Sequence, residues 1–159
     1  MNFNIEQIIK TVKAAGEIIL TAHEQEDSVT AKEGKKNFVT KYDVAVQEYL
    51  FKELANIVPE AEFVGEEGDT NKESKALRFI IDPIDGTTNF MQDFRCSCIS
   101  VALCEENEAV AGVVYNPYTN EIFSAEKIEA GAAGFWGAAL SEGDCISPKI
   151  SMGVGSDGA

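Results

Sequence analysis

The sequence predicts an α+β domain in which two helices pack on one mostly antiparallel sheet. Two segments with helical apolar spacing come first, and apolar strand-like segments separated by turn residues follow. The 159 residues are enough for one domain with a core. We predict that domain over residues 1–127 and a Gly/Ala-rich tail, irregular or partly disordered, over residues 128–159.

The two helices are predicted from apolar residues that recur on one face. The first runs from Asn4 to about His23 and begins at a capping asparagine. The second runs from about Tyr42 to Ile57, with Thr40 and Asp43 as its capping residues and Pro59 just past its end.

The strands are predicted from short apolar runs bounded by turn residues. Minor extended pieces are expected at Val29–Lys32 and Phe38–Thr40, with a turn around Gly34 between them. The strands of the sheet are expected at Glu62–Val64, Leu77–Ile81, Cys98–Cys104, Ala109–Tyr115 and Glu121–Glu126. The Leu77–Ile81 run is continuously apolar, which predicts burial on both faces, and it breaks at Asp82. The turn chemistry between the last three strands predicts an antiparallel meander.

Composition limits the possible partners and compartment. The chain has 27 acidic and 13 basic residues, a formal charge of −14, which argues against nucleic acid or an anionic membrane. No apolar run approaches the roughly 20 residues that cross a bilayer, and the N-terminus lacks the pattern of a secretory signal. The four cysteines are therefore expected to be reduced thiols, and the protein to be cytoplasmic.

The run Asp82-Pro83-Ile84-Asp85 is the strongest candidate for chemistry. Two carboxylates three residues apart, with a proline fixing φ between them, can point at one place. The Ile84 carbonyl is a possible third oxygen ligand. Ligation by oxygen alone suits Mg²⁺ or Mn²⁺.

The next residues, Gly86-Thr87-Thr88, supply closely spaced N–H groups and hydroxyls. These groups form an anion cradle if a tight turn or helix begins there. The alternative is an ordinary strand-to-helix turn in which Asp and Thr serve only as caps.

Three further segments contribute weaker candidates. Gly65-Glu66-Glu67 follows a strand that we expect beside the one ending at Asp82, so Glu66 is a plausible bridging ligand between two cations, with Glu67 next to it. Asp43 is equally well explained as a helix cap. Lys32 is equally well explained as a surface lysine.

Taken together, these segments resemble the inositol monophosphatase family over about residues 4–127. The matching pieces occur in family order: Val12–Gly16, Lys32, Val39-Thr40 with Asp43, Gly65-Glu66-Glu67 and Asp82–Phe90. The resemblance implies the N-terminal half of a layered αβαβα sugar-phosphatase fold. It also implies lithium-sensitive, magnesium-dependent hydrolysis of a sugar or inositol phosphate, with two or three Mg²⁺ ions and a homodimer.

The resemblance also implies roles for individual residues. Metal ligands are Glu66, Asp82, the Ile84 carbonyl and Asp85. Substrate contacts come from Glu66, Ile84, Asp85, Gly86 and Thr87, with Lys32, Glu67 and Thr88 as further candidates. A metal ion, together with Glu66 and Thr87, activates the attacking water. Asp43 accepts a hydrogen bond from the Thr87 hydroxyl.

The family's second α/β half, which carries a Trp-Asp motif, has no match in these 159 residues. We therefore expect weakened metal binding, weak or absent catalysis and an exposed apolar surface. The alternatives are a catalytically weak or inactive metal-binding fragment or interaction module, a related phosphatase for fructose 1,6-bisphosphate or 3′-phosphonucleotides, and an α+β domain whose acidic turns are only caps.

Overall fold

The structure, a computed structural model, describes residues 3–25, 32–64, 77–106, 108–130, 133–141 and 150–151. Its helices are α1 (Ile5–Gln25), α2 (Lys32–Ile57) and α3 (Thr87–Met91). Its strands are β1 (Glu62–Val64), β2 (Leu77–Asp85), β3 (Cys98–Glu105), β4 (Glu108–Asn116), β5 (Glu121–Ala130), β6 (Ala133–Ser141) and β7 (Ile150–Ser151).

The described strands form one sheet in which spatial order follows chain order from β1 to β7. β1 pairs with β2 in parallel, and every later pair is antiparallel. The predicted α+β class and the meander of β3, β4 and β5 are confirmed.

The core lies between one face of this sheet and the pair α1 and α2. Each helix contributes a buried stripe at helical spacing: Ile8, Val12, Ala15 and Ile19 from α1, and Val46, Leu50 and Leu54 from α2. The sheet contributes alternate residues from its central strands: Phe79, Ile81, Ile99, Val101, Leu103 and Val113. This alternation leaves the other face of β2, β3, β4 and the start of β5, here called the outer face, away from the helices.

The first helix is confirmed, and the second is longer than predicted. At the start of α1 the Glu6 N–H donates to Asn4 Oδ1 at 2.9 Å, so Asn4 is the cap. Because α2 begins at Lys32, the predicted turn at Gly34 and the extended piece at Phe38–Thr40 are wrong. Thr40 and Asp43 therefore lie inside the helix and do not cap it.

The local signal was misleading because β-branched and aromatic residues favour strands only weakly, and no proline stops a helix through this segment. The predicted strand at Val29–Lys32 is wrong at Lys32, and residues 29–31 lie outside the described residues.

Strand β2 differs from the prediction in length and burial. It continues through Asp82 to Asp85, whereas we expected it to break at Asp82. It is not buried on both faces, because Ile80 on the outer face is 42% exposed. An apolar run alone does not say what covers each face of a strand.

The tail also contains more regular structure than predicted. β5 continues to Ala130, and Ala133–Ser141 pairs with it residue by residue, so irregular packing is wrong for these residues. Gly and Ala are poor strand formers, but the hydrogen bonds of an existing edge outweigh that preference. None of the described helices is long and apolar enough to cross a membrane.

Candidate functional site

A register irregularity in β2 brings Asp82 and Asp85 to the same face of the sheet. Asp82 pairs with Ser100 and Asp85 pairs with Cys98, so three steps along β2 oppose two steps along β3. Residues three apart in a regular strand point to opposite faces, but one extra residue restores the same side. Both aspartates therefore share the outer face with Ser100 and Cys98.

The two carboxylates differ in exposure. Asp82 is half-buried, and its Oδ1 atom is buried, whereas Asp85 is exposed. The Cys98 thiol donates to Asp85 Oδ2 with an Sγ–Oδ2 distance of 3.7 Å. Burial, and then the negative charge of Asp85, raises the pKa of the Cys98 thiol to about 11. The thiol is therefore protonated at neutral pH and available as a donor.

A left-handed glycine follows the second aspartate directly. Gly86 has φ 89° and ψ 41° and precedes the first residue of α3. A Cβ atom at this position would lie 3.1 Å from the Cys96 carbonyl oxygen, so glycine suits both the backbone angle and the space. The Phe90 N–H donates to the Gly86 carbonyl at 3.0 Å, which closes the turn. Thr87 and Thr88, the first residues of α3, are exposed.

Two hydrogen bonds of Asn89 hold the segment before β3 against this turn. The Asn89 side-chain amide donates to the Cys96 carbonyl at 2.9 Å, and the Phe94 N–H donates to the Asn89 carbonyl at 2.9 Å. The antiparallel pairing of β2 and β3 thus places Cys96 and Cys98 beside the candidate site. The sequence predicted these cysteines only as reduced thiols, and the signal that would have found Cys98 is its place at the start of the strand paired with β2.

Two buried hydroxyl groups lie near this segment, one from Ser97 just before β3 and one from Tyr118 in the turn between β4 and β5. The hydroxyl oxygens of Ser97 and Tyr118 are both buried. Burial raises the pKa of Tyr118. The two oxygens are not in hydrogen-bonding geometry.

Helix α2 packs against α3 through Tyr42, the residue before Asp43. The buried ring of Tyr42 packs edge-on against Phe90 of α3, with ring centroids 6.1 Å apart and an angle of 73° between the planes. Its hydroxyl donates to the Ala22 carbonyl at 3.3 Å. Asp43, the next residue, is half-buried. The structure thus brings the predicted residues Asp82, Asp85, Gly86 and Thr87 together, with Asp43 on the neighbouring helix.

Other predicted residues are not placed. Gly65, Glu66 and Glu67 lie outside the described residues, and so does the side chain of Lys32. Within the part of the chain that the structure describes, no group of three or more His, Cys, Asp or Glu side chains is placed to hold a metal ion. The chemistry of the donors fits a divalent cation, since Asp82 and Asp85 supply oxygen ligands on one face. The described residues thus account for part of such a site.

A family model described as the inositol monophosphatase family matches residues 4–152. This match covers most of the 159 residues. The chain belongs to the inositol monophosphatase family.

Individual relatives agree with this assignment. An inositol-1-monophosphatase of Caulobacter vibrioides is 42% identical over 110 residues, which are 68% of this chain and 42% of the relative. A solved IMPase of Thermotoga maritima is 33% identical, with a TM-score of 0.65 over 87% of this chain and 50% of that one. SaIMPase-II, solved with bound inositol monophosphate, is 26% identical, with a TM-score of 0.59 over 79% of this chain and 44% of that one. The chain thus spans about half the length of these relatives.

Proposed function

We propose that the chain carries the metal- and phosphate-binding part of a phosphatase that hydrolyses a phosphate monoester of inositol or a sugar. The observation that supports this most strongly is the irregularity of β2, which turns Asp82 and Asp85 to one face immediately before the turn at Gly86. Ligands for a cation and N–H groups for an anion are then consecutive in the chain. Hydrolysis of a phosphate ester with the help of divalent cations needs ligands that hold the cations and donors that hold the phosphate oxygens.

The proposed ligands are the carboxylates of Asp82, Asp85 and Glu66 and the carbonyl of Ile84, for two or three Mg²⁺ ions, or Mn²⁺ in their place. Bound cations of this kind neutralise phosphate charge and lower the pKa of water. Glu67, next to Glu66, is a further candidate. The interrupted pairing of β2 with β3 at Pro83 and Ile84 supports the use of a backbone oxygen there.

The remaining residues bind and orient the reactants. The N–H groups of Gly86 and Thr87 donate to the phosphate oxygens, and Thr88 extends this surface. Thr87 orients the attacking water together with Glu66, and Asp43 on α2 accepts from the Thr87 hydroxyl. Lys32 provides positive charge near the phosphate. These assignments are proposals that follow the family resemblance, residue by residue.

The proposed substrate is a small phosphorylated polyol, with inositol 1-phosphate first. The support is the name of the Caulobacter vibrioides relative and the inositol monophosphate bound to SaIMPase-II. Fructose 1,6-bisphosphate and 3′-phosphonucleotides remain alternative substrates to be compared. Lithium sensitivity, a homodimer and a cytoplasmic location are part of the same proposal.

A second candidate function is metal binding without turnover, by an interaction module. It needs only the two carboxylates that the described residues bring to one face, Asp82 and Asp85, and no activated water. The two candidates differ in whether phosphate release accompanies cation binding.

The test is phosphate release from inositol 1-phosphate by the purified 159-residue chain, with and without Mg²⁺ and Li⁺. We expect weak Mg²⁺-dependent release that Li⁺ suppresses and that Asp85→Asn abolishes. Asp93→Asn is the matched control, because Asp93 is an exposed aspartate whose carboxylate lies 3.6 Å from Arg95. Cation binding without release would support the second candidate, and release unaffected by Asp85→Asn would contradict the first.

A further inference from the structure

The Cys98 thiol lies directly across the β2–β3 ladder from Asp85. The two residues are register partners, and the thiol donates to Asp85 Oδ2 at 3.7 Å. Both side chains are on the outer face. We propose that Cys98 is a positioning residue that orients the Asp85 carboxylate toward the cation. This inference rests on the proposed function.

Among the described residues, the Cys98 thiol is the side chain that hydrogen-bonds the Asp85 carboxylate. Asp85 is exposed and is the last residue of β2, between an irregularity and a left-handed glycine. A freely rotating carboxylate loses rotamer entropy when it binds a cation, which weakens binding. A donor that already orients the carboxylate reduces this loss.

Cys98 is well placed to act as that donor. It begins β3, and the next residue, Ile99, is fully buried, so the backbone that carries the thiol is fixed by the core. A single rotatable bond then positions the sulfur. A carboxylate offers about four lone-pair sites on its two oxygens, so a donor at Oδ2 leaves sites for a cation. Such indirect contacts orient metal ligands in many proteins.

The test is Mn²⁺ affinity, measured on the whole chain by the electron paramagnetic resonance of free Mn²⁺. Cys98→Ala and Cys98→Val both remove the donor, and Cys98→Ser keeps one. Cys96→Ala is the matched control, since Cys96 is an exposed cysteine two residues earlier in the same segment. Circular dichroism confirms that each variant is folded at the temperature of the titration.

We expect Mn²⁺ to bind Cys98→Ala and Cys98→Val about tenfold more weakly than the unchanged chain, the lower end of what such indirect contacts contribute. Cys98→Ser and Cys96→Ala should bind within about threefold of it, less than the effect of a lost contact. A space-filling role alone would leave Mn²⁺ affinity unaltered in the folded variants.

Equal affinity in Cys98→Ala and the unchanged chain overturns the positioning role and leaves the proposed function standing. Equal weakening by Cys98→Ser and Cys98→Ala also overturns it, because the donor would then not be the cause. If the unchanged chain binds no Mn²⁺, the proposed function fails, and this inference fails with it.

Discussion

The residues that define the candidate site depend on one insertion in a strand. Asp82 and Asp85 were predicted from the sequence as a pair of ligands, but their spacing alone does not fit a regular strand. Side chains three apart alternate to opposite faces. The structure resolves this conflict through the extra residue in β2 between the two registered pairs. A bulge of this kind depends on the pairing with β3, so local sequence rules do not reveal it.

Gly86 is the residue whose substitution tests the turn. Gly86→Ala places a Cβ in a left-handed conformation and within 3.1 Å of the Cys96 carbonyl oxygen. We expect the free energy of unfolding to fall by about 1–3 kcal/mol, as measured by urea denaturation.

Gly112→Ala is the matched control for this change. Its added Cβ would meet only the Val101 carbonyl oxygen, at 4.0 Å. Its stability should be unchanged or slightly higher, because glycine inside a strand is unfavourable. If Gly86→Ala is as stable as Gly112→Ala, the turn is not held in the conformation described.

At the scale of elements, the prediction succeeded where periodicity was long and failed where only local preference was available. The stripe of α1 and the alternation of β3 and β4 repeat over many residues, and all three elements were found. The first ten residues of α2 and all of β6 were missed. Their sequences favour other structures locally, but helix continuation and pairing with β5 outweigh that preference.

The contact between α1 and β4 is tight enough to test. A Cβ at Gly16 would lie 2.6 Å from Tyr115 Cε1 and 3.1 Å from Pro117 Cβ. Alanine is the better helix former by about 1 kcal/mol, but overpacking of this kind costs about 1–3 kcal/mol. We therefore expect Gly16→Ala to lower the midpoint of thermal unfolding.

A double-mutant cycle separates the gain in helix propensity from the cost of overpacking against Tyr115. Tyr115→Leu removes the crowded ring atom, so Gly16→Ala should be less destabilising in that background. An equal cost in both backgrounds would mean that the ring does not limit the approach of α1 to the sheet.

On the scale of the whole molecule, the outer face combines the candidate ligands with exposed apolar side chains. Ile80, Val114 and Phe123 are 42%, 39% and 51% exposed. Val114 pairs with both Ser100 and Phe123, and Ser100 pairs with Asp82, so Val114 and Phe123 lie in the same row as a candidate ligand. The described part of this face therefore carries apolar side chains that are partly exposed to water.

This face should bind a hydrophobic dye. Phe123→Thr is expected to reduce the fluorescence of anilinonaphthalene sulfonate and to change the free energy of unfolding by less than about 0.5 kcal/mol, as for other surface substitutions. Val44→Thr is the control, since Val44 is 44% exposed on α2, away from the outer face. Equal loss of fluorescence in both variants would contradict a localised apolar face.

The most direct test of the central claim is a calorimetric titration of Mn²⁺ into the whole chain and its Asp82→Asn, Asp85→Asn and Asp93→Asn variants. If β2 presents two cation ligands on one face, the unchanged chain and Asp93→Asn bind Mn²⁺ alike. Asp82→Asn and Asp85→Asn each bind more weakly by on the order of tenfold, because affinity follows the number of charged ligands. Saturable binding that neither Asp82→Asn nor Asp85→Asn weakens, or no binding by the folded chain, would contradict the account.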